Sequence, residues 1–179
     1  MGIHGNTTDQ RLRALLEEMI NDAALPIENY PQRLKAIATA IPHGVRIVPA
    51  PLDEPLDDFN CVMYALGIVG ALQHPCGPLG RYYADTSFLR SLIDAGELRP
   101  DGQTPGALVT WSSEAALKHV GVLISADCAV SKWGRGHICE HGLFEVPASM
   151  GDRLAFYAFS METADVIGHL ARFHHWVQR

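Results

Sequence analysis

Five short runs of β-branched and aromatic residues follow Gly106, and they limit the fold more than any other feature of the sequence. The runs are ALVTW, HVGVLIS, AVSKWG, HGLFEVP and RLAFYAF. Turn residues such as Asp127 and Gly134 stand between several of them. Short strands with hairpin-length gaps pair as antiparallel neighbours. The second half of the chain is therefore predicted to form a small antiparallel sheet.

Helical patterns precede and follow these runs. A first helix, QRLRALLEEMINDAAL, follows the capping-box pair Thr7 and Gln10, and Pro31 suits the first turn of a second, RLKAIATAI. Residues 86–95 form an amphipathic segment that ends at Gly96, and residues 161–179 have a helical apolar pattern. Between them, the apolar run NCVMYALGIVGAL predicts a buried helix that begins near Cys61.

The length and composition fit one α+β domain with helices packed on the sheet. The chain has 179 residues, of which 47% are apolar, enough for one core. We expect residues 1–48 to be a helical N-terminal extension and residues 49–179 to be the domain proper, with a C-terminal helix. The segment PAPLDEPLDDF has the composition of a loop.

Charge and hydropathy exclude several classes of partner. The formal net charge of -6 leaves no basic patch for nucleic acid or for an anionic membrane surface. No segment approaches the roughly 20 apolar residues of a membrane span. The start, MGIHGNTTDQ, does not have the pattern of a secretory signal. We expect a protein that is cytoplasmic as synthesised, with export by a signal-independent route as the alternative. The four cysteines (Cys61, Cys76, Cys128 and Cys139) are expected to be reduced.

Cys61 and His119 are the residues in which we expect the chemistry. A cysteine at a helix start meets the positive end of the helix dipole and unpaired N–H groups, which favour thiolate. The alternative is a small core residue. His119 opens the strand HVGVLIS, and an imidazole near a strand end can take the proton of a thiol and return it to a leaving amine.

The order of these motifs resembles the NlpC-type cysteine peptidases, which cleave peptide stems of bacterial cell walls. That family has a helix that begins with the nucleophilic cysteine, a Pro-Gly-Asp-Leu-Val-x-aromatic strand, and then His-Val-Gly-aliphatic. This chain has Asn60-Cys61, then PGALVTW from Pro105, then HVGV from His119. The resemblance implies a papain-like, NlpC-type core, with Cys61 as nucleophile and His119 as base. Asn60 and Ala107 replace acidic residues of the family, which affects the expected substrate rather than the fold.

Three residues compete for the third catalytic position, the group that orients the imidazole. In the family this is most often a histidine on the next strand, and the same distance past His119 falls on Ser131. His141, in CEHGLFEVP, has better chemistry for the task, and His137 is a third choice. The backbone N–H of Cys61, aided by a side chain such as Asn60, is the expected oxyanion donor.

The other polar and aromatic residues are interpreted as structural rather than functional. His137, Cys139 and His141 alternate in GHICEH, but strand alternation spaces ligands about 7 Å apart, too far for one zinc. We therefore predict no metal and no cofactor. We expect Trp111 and Trp133 to pack in the core, Lys132 to lie at an exposed strand edge, and Asp57 and Asp58 to be exposed to solvent. Tyr82 and Tyr83 are weaker candidates for a cleft.

The first functional hypothesis is a cysteine hydrolase that cleaves an amide bond through a thioester. Its expected substrate is a peptide of the cell wall, with delivery as an antibacterial effector or release with a phage, and the existence of an inhibitory immunity partner stays open. The alternatives are an intracellular acyltransferase or deamidase of the same fold, and a catalytically silent domain whose N-terminal helices bind a partner. These helices are also a candidate flap over the cleft.

Overall fold

The computed structural model describes residues 7–50, 55–70, 84–114 and 116–177, and of residues 7 and 175–177 it describes the backbone alone. Within these ranges the helices are α1 (Thr7–Asn21), α2 (Tyr30–Ala40), α3 (Cys61–Ala65), α4 (Thr86–Asp94) and α5 (Thr163–Val177). The strands are β1 (Arg46–Val48), β2 (Arg99–Pro100), β3 (Leu108–Ser113), β4 (Ala116–Leu123), β5 (Cys128–Lys132), β6 (Ile138–Gly142) and β7 (Arg153–Ala158). The predicted mixture of helices with an antiparallel sheet is confirmed.

The strands form one seven-stranded sheet in the order β1-β6-β5-β4-β3-β7-β2. All neighbouring pairs are antiparallel. Two strands differ from the prediction. Strand β4 begins at Ala116, so His119 lies buried inside the strand rather than at its start. Strand β6 is ICEHG, and the segment HGLFEVP turns away after Gly142. The Glu145 N–H donates to the Gly142 carbonyl at 2.9 Å, and the Glu145 carboxylate accepts the Gly142 N–H at 2.9 Å. These two bonds close a turn where the sequence predicts a strand.

Apolar side chains cover both faces of the sheet. On one face, α1 and α2 pack against the side chains of Val109, Trp111, Leu123 and Ala129. On the other, α3, α4 and α5 pack against those of Leu108, Val120 and Ile138. The domain boundary at residue 48 stays a prediction, and in the structure the segment before it supplies one of the two helical layers and the edge strand β1.

The apolar run from Asn60 does not form the long helix that its composition predicts. Helix α3 ends at Ala65, and Gly67 follows with a φ of 66°, in the left-handed region that glycine adopts most easily. The N–H groups of Gly67 and Ile68 donate to the Tyr64 and Met63 carbonyls, which closes the end of the helix. Ile68 is nonetheless buried, so the apolarity of this stretch reflects core packing rather than helical continuation.

Helices α4 and α5 match their predicted positions. Asp85 caps α4 by accepting the N–H groups of Ser87 and Phe88, and Gly96 follows the helix with a φ of 76°. Val166 and Leu170 of α5 are buried against the same layer. None of the helices in the described ranges combines the length and apolarity required to cross a bilayer.

Candidate active site

Cys61 is the first residue of α3, and Asn60 fixes this helix start. The Asn60 side-chain oxygen accepts the Met63 N–H at 2.9 Å, and its amide nitrogen donates to the Ala84 carbonyl at 2.6 Å. This is an N-cap that also ties α3 to the residue before the cap of α4. Since both polar atoms of the Asn60 side chain have partners, the residue positions Cys61.

The Cys61 thiol lies at an opening between β4 and β5. These strands pair at Val122 with Val130 and at Leu123 with Ala129, and the pairing then ends. Leu123 donates its N–H toward β3, so antiparallel alternation directs the N–H groups of Val122 and Val120 toward β5. The Val120 N–H lies near Cys61 and favours its thiolate. The thiol thus lies beside β4 where the pairing with β5 has ended.

Burial raises the pKa of the Cys61 thiol, and several groups oppose that effect. The N–H groups of Val120, Val62 and Cys61 itself favour the thiolate, as does the charge of Lys132. The side chain is only partly buried. Cys61 is therefore a protonated thiol at neutral pH, surrounded by groups that stabilise its anion when it forms.

His119 lies next to Val120, so the thiol contacts the peptide group that joins these two residues. The imidazole is 2% exposed and packs on Trp111 with ring centroids 5.3 Å apart. Burial, and to a lesser extent the charge of His141, lowers the pKa of His119 to about 3. Its Nε2 has no hydrogen-bond partner in the described part of the chain. Among the described residues, no hydrogen bond joins the thiol to the imidazole either. The His119 imidazole faces the α1–α2 layer with Trp111, whereas Cys61 packs in the α3 layer on the other face of the sheet. The structure thus brings Cys61 near the backbone beside His119 but not to its ring.

Ser131 and His141, the two candidates for the third position, bind each other. The Ser131 hydroxyl and His141 Nε2 are 2.8 Å apart, and the Trp133 indole N–H donates to the same hydroxyl at 3.1 Å. His141 Nδ1 lies 2.9 Å from the Gly142 carbonyl, which can only accept. Nδ1 therefore carries the proton, and Nε2 accepts from Ser131. Burial lowers the pKa of His141 to about 4, in agreement with a neutral ring.

This pair lies on the same face of the sheet as His119 without a hydrogen bond to it. The rings of His119 and His141 both contact Trp111, at centroid distances of 5.3 Å and 5.7 Å. His137, the third choice, lies elsewhere, with Nε2 2.9 Å from the Ile27 carbonyl and its ring against Tyr30. In the ranges that the structure covers, no group of three or more His, Cys, Asp or Glu side chains could hold a metal ion.

Lys132 is the residue of this region that the sequence interpretation missed. It was expected at an exposed edge, but its side chain is 0% exposed. Its ammonium donates to the Gly134 carbonyl at 2.6 Å and lies 5.2 Å from the centroid of the Phe59 ring. Burial lowers its pKa to about 8. The burial of Lys132 could have been inferred from the position of AVSKW among several predicted strands. An inner strand that is covered on both faces exposes neither face to solvent.

Some candidates remain outside the described residues, namely Cys76, Tyr82 and Tyr83. Trp111 and Trp133 are buried core residues, as expected. Comparison of the chain with protein-family models, with curated proteins and with solved structures finds no match.

Proposed function

We propose that this protein is a cysteine hydrolase of amide bonds, built on a papain-like, NlpC-type arrangement of helix and sheet. The observation that carries the proposal is the contact between the Cys61 thiol and the N–H of Val120. It joins the first residue of α3 to strand β4, which contains His119. The thiol approaches β4 from the α3 face, and the His119 imidazole lies on the opposite face beside Trp111.

Each residue has a stated role in the proposed reaction. The Cys61 sulfur attacks the amide carbonyl, and its proton passes to the neutral imidazole of His119. The imidazole then gives that proton to the leaving amine as the carbon–nitrogen bond breaks, which leaves a thioester. Water hydrolyses the thioester to a carboxylate and restores the thiol. Because the imidazole and the thiol lie on opposite faces of the sheet, this proton transfer requires β4 to rearrange so that the His119 ring reaches the sulfur.

Ser131 and His141 are proposed to orient the base as a unit. The trapped tautomer of His141, fixed by Ser131 and the Gly142 carbonyl, presents an uncharged ring to the pocket of His119. Such a pair supports His119 through packing on the shared Trp111 rather than through a direct hydrogen bond.

The first substrate to test is a peptide stem of the bacterial cell wall, because the sequence resemblance carries that substrate class. Purified protein is incubated with peptidoglycan, and released fragments are identified by mass spectrometry. New stem-peptide fragments are expected from the wild type and none from Cys61→Ala. Cys128→Ala is a matched control that should release the same fragments as the wild type, since Cys128 is also a partly buried free thiol but hydrogen-bonds to Glu140 at 3.8 Å and begins β5, at the opposite end from Lys132. Wild-type protein that releases no fragments would exclude this substrate.

The fate of the thioester distinguishes hydrolysis from intracellular acyl transfer or deamidation. Stable acylated product with an amine acceptor would favour transfer, and free carboxylate would favour hydrolysis.

A catalytically silent binding domain is the second candidate. The raised pKa of Cys61 and the unpartnered Nε2 of His119 favour it. Iodoacetamide distinguishes the two, since an activated Cys61 is alkylated well below pH 8 and an inert core thiol is not. If the silent domain is correct, Cys61 in the folded protein should react no faster than Cys128.

A further inference from the structure

We propose that Lys132 is the charge partner of Cys61, a positioning residue whose buried ammonium stabilises the thiolate across the opening between β4 and β5. The inference rests on the proposed function in taking Cys61 as the nucleophile. It deepens that function by assigning the group that makes the thiol reactive.

The register of the strands places Lys132 beside the thiol. Val122 pairs with Val130, and two residues further along each strand are Val120 and Lys132. Because side chains alternate, Lys132 and Val120 face the same helical layer, the one that contains α3. The Val120 N–H favours the Cys61 thiolate, and the Phe59 ring, two residues before Cys61, lies against the Lys132 ammonium at 5.2 Å.

Lys132 has no carboxylate in ion-pair contact among the residues that the structure describes. Its charge interacts with Asp57, Cys61 and Cys139. The Asp57 carboxylate is held by Arg135 at 3.1 Å, and Cys139 lies on the other face of the sheet. A fully buried ammonium is costly unless an anion or several acceptors offset the loss of water. Among the described residues, the acceptor of its hydrogen bond is the Gly134 carbonyl, and Cys61, on the same face of the sheet, can become an anion close to it.

The interaction should make thiol reactivity depend on the charge of Lys132. Below pH 8 the ammonium increases the thiolate fraction of Cys61. Burial lowers the pKa of Lys132 to about 8, so the ammonium loses its proton in a range where the thiol is still largely protonated. As Lys132 loses its charge, the thiolate fraction of Cys61 stops rising with pH. It rises again at higher pH, where the thiol ionises beside a neutral Lys132.

The test measures alkylation of Cys61 by iodoacetamide between pH 6 and pH 10. Peptide mass spectrometry separates this reaction from that of the other three cysteines. In the wild type, the logarithm of the rate should rise with pH, flatten near pH 8 and rise again. Lys132→Met should react about tenfold more slowly at pH 7, as expected for about one pKa unit, and should show no flattening. Lys132→Arg keeps a charge that does not titrate, so it should retain the rate at pH 7 without the flattening.

Lys118→Met is the matched control, because Lys118 is an exposed lysine next to His119 and should leave the profile unchanged. A folded Lys132→Met protein that reacts as fast as the wild type at pH 7 would overturn the inference. If the variants do not fold, the wild-type profile decides, and a single titration without flattening near pH 8 refutes it. Alkylation needs no substrate. If the alkylation profile is as expected but no amide is cleaved, the Lys132 inference stands and the proposed function is rejected. If an amide is cleaved but Lys132→Met has the wild-type alkylation profile, the proposed function stands and the Lys132 inference is rejected.

Discussion

Mild acid should destabilise this protein, because two buried imidazoles are uncharged in the folded state. Burial, with a smaller effect of His141, lowers the pKa of His119 to about 3. Burial lowers the pKa of His141 to about 4. In the unfolded chain a histidine has a pKa of about 6.5. Between these values only the unfolded chain binds the additional proton, so the stability present above pH 6.5 is lost as the pH falls toward the folded pKa values.

The expected loss can be worked out from these pKa values. Each histidine reduces the free energy of unfolding by about 1.4 kcal/mol per pH unit below about 6.5. From pH 7 to pH 5 this amounts to about 2 kcal/mol for each ring and about 4 kcal/mol for both. Carboxylates with lowered pKa values, such as Glu17, lose their contribution only at lower pH. A loss of about 4 kcal/mol is a large part of the roughly 5–15 kcal/mol that stabilises a typical domain.

Urea denaturation at pH 7, 6 and 5 tests this expectation, with the fluorescence of the buried Trp111 and Trp133 as probe. His119→Gln should lose only about 2 kcal/mol over the same range. His169→Gln is the control and should behave as the wild type, because His169 lies 3.7 Å from a Glu97 oxygen rather than in the core. A wild-type loss under about 1 kcal/mol, or the full loss in His119→Gln, would refute the reasoning.

Two further substitutions test the scaffold around the thiol. Asn60→Ala removes the cap of α3 and its hydrogen bond to Ala84, so it should lower the free energy of unfolding by about 1–2 kcal/mol and slow the alkylation of Cys61. Asn60→Asp should retain the cap. Equal alkylation rates in the wild type and both variants would contradict this role. Gly121→Ala places a Cβ 2.8 Å from a backbone oxygen of β5, so it should separate β4 from β5 and lower the free energy of unfolding in urea by about 1–3 kcal/mol. Gly102→Ala, in an open loop, is the control. Equal stability of the two variants would argue against a close approach of the strands at Gly121.

The strands after Gly106 and the helices around them were predictable because their signals are local. The residues of β3, β4, β5 and β7 are rich in β-branched and aromatic side chains, and α4 has both a capping Asp85 and a terminal Gly96. The run after Cys61 was not predictable by the same means. Buried coil and buried helix have the same apolar composition, and only the left-handed Gly67 ends the helix.

The site was predictable in its residues more than in its contacts. A helix start at Cys61 and a strand through His119 follow from the sequence. The pairing of Ser131 with His141 depends on the register of β5 and β6, in which Ser131 lies opposite Cys139 and next to the pair of Ala129 and His141. Lys132 was misjudged because lysine usually lies in solvent, and that general preference outweighed the weaker evidence that β5 is an inner strand.

Because Cys61 lies beside the Val120 N–H, hydrogen exchange at this amide should report on the position of the thiol. An amide that donates to a fixed acceptor exchanges slowly with solvent, and it exchanges faster when that acceptor leaves. The Val120 N–H is directed toward β5 beyond the end of the β4–β5 pairing, and it favours the Cys61 thiolate. Deuterium uptake at this single position therefore follows each displacement of Cys61, whether by alkylation, acylation or opening of α3.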